Sequence, residues 1–292
     1  MSEAIAKRQP RRFAFGPNRL VLILVMLYLL IPLGATLVFG LSSPNGPSYT
    51  FQQIFGDANF WATIQLSLIL ALATTALGVI LVTPTAYWVH LRLPKARPLM
   101  DVLTLIPFAI PAVIMSLGLV EVYGSPTTLI NILSFGLVPI LSNDPFNIVD
   151  TPPLLVCAYV VVSLPFIYRP IENSLRAINT AALTEAAYSL GSSWWRTFLT
   201  VVVPNIWPGI ISAALLTFST AMGEFTIASL FGLYTFPIYL DVTGQNDAHK
   251  AASLAVLSFI LTLLCVLGII FLVRRAPGRA GKEGDIEIAA AK

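Results

Sequence analysis

Six runs of apolar residues, at about 20–41, 62–89, 99–122, 153–170, 201–222 and 251–273, leave this chain few ways to fold. A bilayer core about 30 Å thick is crossed by roughly 20 apolar residues as helix, and all six runs reach or approach that length. Backbone facing lipid finds no water for its N–H and C=O groups, so each run is expected to be helical. The balance of residues agrees: 57% of the 292 are hydrophobic and 11% charged, where a soluble domain carries about 25% charged residues. The fold class that follows is an all-α polytopic membrane protein with six transmembrane helices.

The basic residues orient it. Lys7, Arg8, Arg11, Arg12 and Arg19 precede the first run, and Arg92, Lys95 and Arg97 lie between the second and third. Arg169, Arg176 and Arg196 lie between the fourth and fifth, and Arg274, Arg275, Arg279, Lys282 and Lys292 follow the sixth. The other connections hold only Lys250, so 16 of the 17 basic residues fall on one side, which the positive-inside rule assigns to the cytoplasm. Both termini are then expected inside. Asp57, Glu121, Asp144, Asp150, Glu224, Asp241 and Asp247 fall outside. The formal charge of +3 is thus a matter of topology, and no nucleic-acid partner is expected. The first run is longer than the 7–15 residues of a signal peptide's apolar region, so it is expected to remain as a helix. Cys157 and Cys265 lie within runs and are expected to be small buried hydrophobes, not a disulfide or a metal site.

Residues 1–18 form a basic tail, 19–59 the first helix with its external loop, and 276–292 a second tail. Residues 123–152 are apolar enough in the middle for a short surface helix. Residues 223–250 are too long and apolar for a plain linker, and a re-entrant or broken helix is expected there. Prolines at 84, 107, 111, 165, 170, 204 and 208 fall within or beside the runs, where each removes a backbone bond. Pro107 and Pro111, one turn apart, mark an interrupted helix. With Ser116, Glu121, Ser219 and Glu224 they are the candidate lining of a pathway. Glu121 and Glu224 suit a cationic cargo, although external acids equally obey the topology alone.

Some chemistry is missing. No GxxxxGK[ST] loop occurs, GRAGKEG in the tail having the wrong spacing. His90 and His249 lie at opposite membrane faces, so neither a zinc site nor a triad is available. The centres of the six runs lack the acids and histidines that proton- or sodium-coupled carriers place there. The chain is therefore expected to bind no cofactor and catalyse nothing itself.

The longest connection on the basic side, 169–200, carries Ile171, Leu175, Ile178, Ala182, Leu183, Ala186, Ala187 and Leu190 at spacings of three and four, one face of a helix. Asn179-Thr180 is a break and N-cap between a short helix and a second from about 181 to 190. Gly191 stands where a left-handed C-cap is expected, and Ser192 or Ser193 is placed to cap a helix through Trp194, Trp195 and Phe198. The plain alternative is an amphipathic loop helix with a routine glycine cap.

Glu185-Ala186-Ala187, then Gly191, then Pro204 resembles the EAA motif, EAA-x3-G-x9-I-x-L-P, of permease subunits of bacterial binding-protein-dependent ABC importers. Val201 and Val203 replace its Ile and Leu. Residues 60–275 fit the type I importer core, preceded by an extra helix. The short matches MGEF, TFPIYL and AASLAVL look closer to the polyamine, ferric iron, sulfate/molybdate, thiamine and phosphonate permeases than to the sugar permeases. The resemblance implies that Leu183, Glu185, Ala186, Ala187, Tyr188, Gly191, Ser192 and Ser193 seat in a groove of a separate ATPase. It implies two ATP-binding subunits carrying the ATP and magnesium, a second permease, sister or identical, and an extracytoplasmic solute-binding protein. That protein is expected to dock on 42–60, 123–152 and 235–250. The implied place is the bacterial inner membrane. A sugar-type permease, or a stand-alone carrier or channel, is the alternative.

Overall fold

The computed structural model describes residues 17–44, 46–124 and 151–275. The expected surface helix between 123 and 152 falls mainly outside these residues, as do the tails. Among the described residues, four helices are long and apolar enough to cross a bilayer, and six if each of two bent pairs counts as one span.

The first is α1 (Pro17–Leu41), followed by the short α2 (Pro47–Gly56) and the long α3 (Ala58–Arg92). Asp57 starts α3: its Oδ1 accepts the Asn59 N–H at 2.9 Å, the expected use of an aspartate N-cap. Its Oδ2 accepts the Tyr239 hydroxyl at 2.8 Å and lies 3.9 Å from the Lys250 Nζ. Next come α4 (Arg97–Leu103), α5 (Ile106–Ala109) and α6 (Ala112–Gly124). The third run is therefore no straight span: Pro94–Ala109 and Ala112–Tyr123 meet at 93°. The break lies at Ile110-Pro111, one turn past Pro107, so the run is interrupted as expected.

Then α7 (Pro152–Ala177) runs unbroken past Pro165 and Pro170, and α3 likewise past Pro84. The short α8 (Thr180–Ser189) and α9 (Trp194–Thr197) lead into a π-helical turn, Phe198–Val202. After it α10 (Trp207–Met222) leaves at 76° to Trp194–Asn205. The span expected over 201–222 is thus bent, beside the prolines that its sequence carries. Pro204 and Pro208, four residues apart, withdraw donors from successive turns, and the helix bends where those bonds are missing. Residues 223–250 form two pieces, α11 (Thr226–Leu230) and α12 (Phe236–Asn246), before the closing α13 (Ala248–Arg275).

The centre is a three-helix pack of α3, α7 and α10. One half of its core gathers Leu70, Leu155, Tyr159, Phe218 and Phe231; the other gathers Tyr87, Ile167, Ile171, Leu175, Phe198 and Ile206. Gly209 of α10 lies so close to α7 that a Cβ there would stand 2.7 Å from the Pro170 carbonyl oxygen. In contrast, α1 rests, among the described residues, chiefly on α13, through the Ser253 hydroxyl on the Gly40 carbonyl (3.1 Å) and the His249 ring stacked on Phe39. Most of its side chains face outward. So does Cys157, contrary to the burial expected of it. An apolar outer surface costs nothing in lipid, so a hydrophobic run does not tell which of its residues are covered.

Candidate functional site: the coupling segment

The segment from Ile171 to Phe198 is built differently from the single amphipathic face its spacing suggests. Residues before Asn179 are no separate helix but the last turns of α7, so Ile171 and Leu175 belong to the transmembrane core. Asn179 takes a left-handed conformation (φ 45°) and makes no side-chain cap. This one residue swings the helical register. Beyond it the buried stripe is Thr180, Thr184 and Ala187, while Ala182, Ala186 and Leu190 of the expected inner face are exposed.

Each buried position has a partner. The Thr180 hydroxyl donates to the Leu175 carbonyl, tying α8 back to α7, and Thr184 Oγ1 donates to the Thr180 carbonyl at 2.7 Å. The Tyr87 hydroxyl of α3 lies 3.1 Å from Thr184 Oγ1. With the threonine proton already committed, the tyrosine is the donor. The Tyr87 ring is fully buried and meets Trp194 (centroids 5.5 Å) and Phe198 (5.4 Å), which stack on each other at 11°. This knot of Tyr87, Thr184, Trp194 and Phe198 fastens the segment to the core.

At the other end, Gly191 sits at φ 78°, its N–H donating to the Tyr188 carbonyl (2.9 Å) and the Ser192 N–H to the Ala187 carbonyl (3.1 Å). These two bonds make the Schellman closure, with glycine where a left-handed residue is needed. Ser193 holds the N-cap position of α9 without a side-chain cap bond, and the Ser192 hydroxyl accepts from Thr197 at 3.0 Å. The outward face presents Glu185, Ala186, Ser189 and Leu190, with Leu183 and Tyr188 at its edges. Leu190 is 89% exposed. Glu185 forms no ion pair among the described residues.

A second set of groups stands near the inner end of α3 and α7. His90 Nδ1 lies 3.2 Å from Glu172 Oε1, and Arg176 Nε donates to the same oxygen at 2.8 Å. A carboxylate only accepts, so the histidine carries its proton on Nδ1. Arg176 also reaches Asp101 of α4, at 3.7 Å. The candidate pathway residues are scattered. Ser116 is buried and donates to Ala112, while Pro111, Glu121 and Ser219 are exposed and Pro107 is half-buried. The Glu224 carboxylate is folded onto its own chain, accepting from the Ile227 N–H (3.0 Å) and the Ala228 N–H (3.3 Å) at the start of α11.

The family of binding-protein-dependent transport system inner membrane components matches residues 82–278, more than half of the chain. The chain belongs to that family. The spermidine/putrescine transport system permease protein PotB of Escherichia coli is 32% identical over 240 residues, 79% of this chain and 83% of the relative. The sulfate permease protein CysW of Synechocystis sp. is 30% identical over 269 residues, 89% and 92% of the two chains. The molybdenum permease protein ModB of Azotobacter vinelandii is 33% identical over 172 residues, 59% and 72%. A bacterial ABC transporter that imports the acidic polysaccharide alginate shares the fold (TM-score 0.66, 20% identity, 89% and 93% covered). A second crystal structure of an alginate importer, in complex with an alginate-bound periplasmic protein, does so at TM-score 0.62 and 18% identity.

The chain is thus a multi-pass inner-membrane permease subunit of an ABC importer, and its family carries neither catalysis nor a cofactor of its own. The family was legible in the EAA spacing. Tyr87 was not: it lies 97 residues from Thr184, with no local signal linking them. The Thr180-Thr184-Ala187 stripe had the right spacing but hid behind hydroxyls, which a search for apolar residues passes over.

Proposed function

We propose that α8 and its glycine turn are the socket piece by which an ATPase subunit moves this permease. Glu185, Ala186, Gly191 and Leu190 meet the ATPase, flanked by Leu183, Tyr188, Ser192 and Ser193. The observation that carries the reading is the two-sidedness of α8: one face is fastened to α3 through Tyr87, the opposite face is bare and small, and Leu190 projects. A helix fastened in this way transmits displacement as a rigid body, and small residues permit a second surface to approach closely. The assembly has two such ATPases, which hold the ATP and magnesium, a second permease, and a solute-binding protein on the opposite face. The basic connections and both termini lie in the cytoplasm, supported by the charge distribution.

The cargo is a small ion or polyamine-sized solute, in keeping with the names of the relatives; alternating exposure of a central pathway carries it across. Co-purification tests the coupling. Glu185→Lys and Leu190→Asp are expected to lose the ATPase subunit while the permease stays folded in the membrane. Retention of the ATPase by both would overturn the reading. Mass spectrometry of the ligand held by the cognate binding protein tests the cargo, and a sugar there would overturn that part alone.

A further inference from the structure

A cleft of about 220 Å³ opens between α3, α4 and α7, walled chiefly by Leu81, Val82, Val89, Met100, Leu103 and Leu164. Tyr168 also lines it. This side chain is 3% exposed, and its hydroxyl is buried without a hydrogen-bond partner among the described residues. Arg97 begins α4, three residues before Met100 of the cleft wall, next to the α3–α4 connection. Its Nη2 donates to the His90 carbonyl, but its Nε is buried and has no partner among the described residues. Arg92 and Lys95 lie exposed on the same connection. The nearby acids are already engaged, Glu172 with His90 and Arg176, and Asp101 with Arg176. A cationic excess therefore remains at this end.

We propose that the cleft binds one anionic phospholipid, an acyl chain lying in the trough and the phosphate on Arg97 with Arg92 and Lys95 around it. Carbon walls do not hold a polar cargo, and a helix about 10 Å across is too thick for a trough of this volume. An amphiphile with an anionic head fits both parts. Two of the buried donors without a partner among the described residues, Tyr168 Oη and Arg97 Nε, belong to this cleft wall and its cationic end, where an unmet buried donor is costly. Basic pockets between transmembrane helices bind anionic headgroups in this manner. Placing the head in the cytoplasmic leaflet rests on the orientation proposed above; the binding itself does not.

The test is native mass spectrometry of the purified importer in micelles doped with phosphatidylglycerol or phosphatidylcholine. Phosphatidylglycerol is expected to be retained at least fivefold more, and Arg97→Gln to lower its retention about fivefold, the effect of one basic residue near a membrane surface. Arg97→Lys, which keeps the charge, should retain most of it. Leu81→Trp, which fills the trough with Arg97 intact, should lower retention, while Arg196→Gln, a basic residue elsewhere, should leave it unchanged. Equal retention of the two lipids, indifference to Arg97→Gln, or displacement by inorganic phosphate would overturn the proposal. So would cross-linking of Met100→Cys to a second permease, which would show protein in the cleft. Labelling of Lys95→Cys by an impermeant reagent from either side separately reports the orientation.

Discussion

Tyr87 concentrates the cost of holding the coupling segment in place. It presents a fully buried ring to Trp194 and Phe198 and a hydroxyl to Thr184. Tyr87→Phe should cost only about 1 kcal/mol, because Thr184 keeps its bond to Thr180 and no donor is orphaned. Tyr87→Ala should cost about 3–5 kcal/mol by opening a cavity. In reconstituted vesicles it should also lower transport more than ATP hydrolysis, since the coupling proposed for α8 depends on this fastening. A fall of equal size in both rates would show that Tyr87 merely supports the fold. Gly191 is a second sensitive residue for a different reason. Nothing lies within 4 Å of an added Cβ, so only its positive φ resists substitution. Gly191→Asn should therefore be milder than Gly191→Val, whose left-handed backbone costs about 1–2 kcal/mol or more; thermal melts of the two variants decide it.

Elements are joined here by a few close approaches. The crossing of α7 and α10 admits no side chain at Gly209, where the obstacles include the Pro170 carbonyl as well as Ser174. Gly209→Ala should destabilise by about 1–3 kcal/mol through overpacking, seen as a lower melting temperature in detergent. Asp57 joins the start of α3 to α12 and α13. Burial works against its carboxylate, but the Tyr239 hydroxyl, the Asn59 N–H and the Lys250 charge outweigh that and hold its pKa below the ordinary value. The folded state thus releases this proton more readily than the unfolded chain, whose aspartate titrates near about 3.9. The stabilisation is complete above that pH and is lost as pH falls through the lower, folded value. Melting of the wild type should lose more between neutral and strongly acidic pH than melting of Asp57→Asn; parallel curves would refute the link.

Across the whole molecule, three packed helices, α3, α7 and α10, form the centre, and the α8 segment is fastened to it through Tyr87. Glu172, 2% exposed, ties His90 of α3 to Arg176, and Arg176 reaches on to α4. Glu172→Ala leaves a buried histidine unpaired and should cost about 3 kcal/mol, read as reduced yield of folded importer. The six apolar runs, the sidedness of the arginines and the EAA spacing were all readable in the chain, because each is a pattern of local composition. Thus the family and the membrane-spanning helical class followed from residues near each other in sequence. Only the tertiary structure decided that the third run turns by 93° at its expected interruption and the fifth by 76°, since proline permits a break but packing chooses which prolines break. It alone turned Ala182, Ala186 and Leu190 outward, through one left-handed residue at Asn179. It also brought Tyr87 to Thr184 and His90 to Glu172, pairs 97 and 82 residues apart. A bilayer rewards apolar surface whichever way it faces, so composition marks what enters the membrane, while long-range packing alone settles which side chains meet within it.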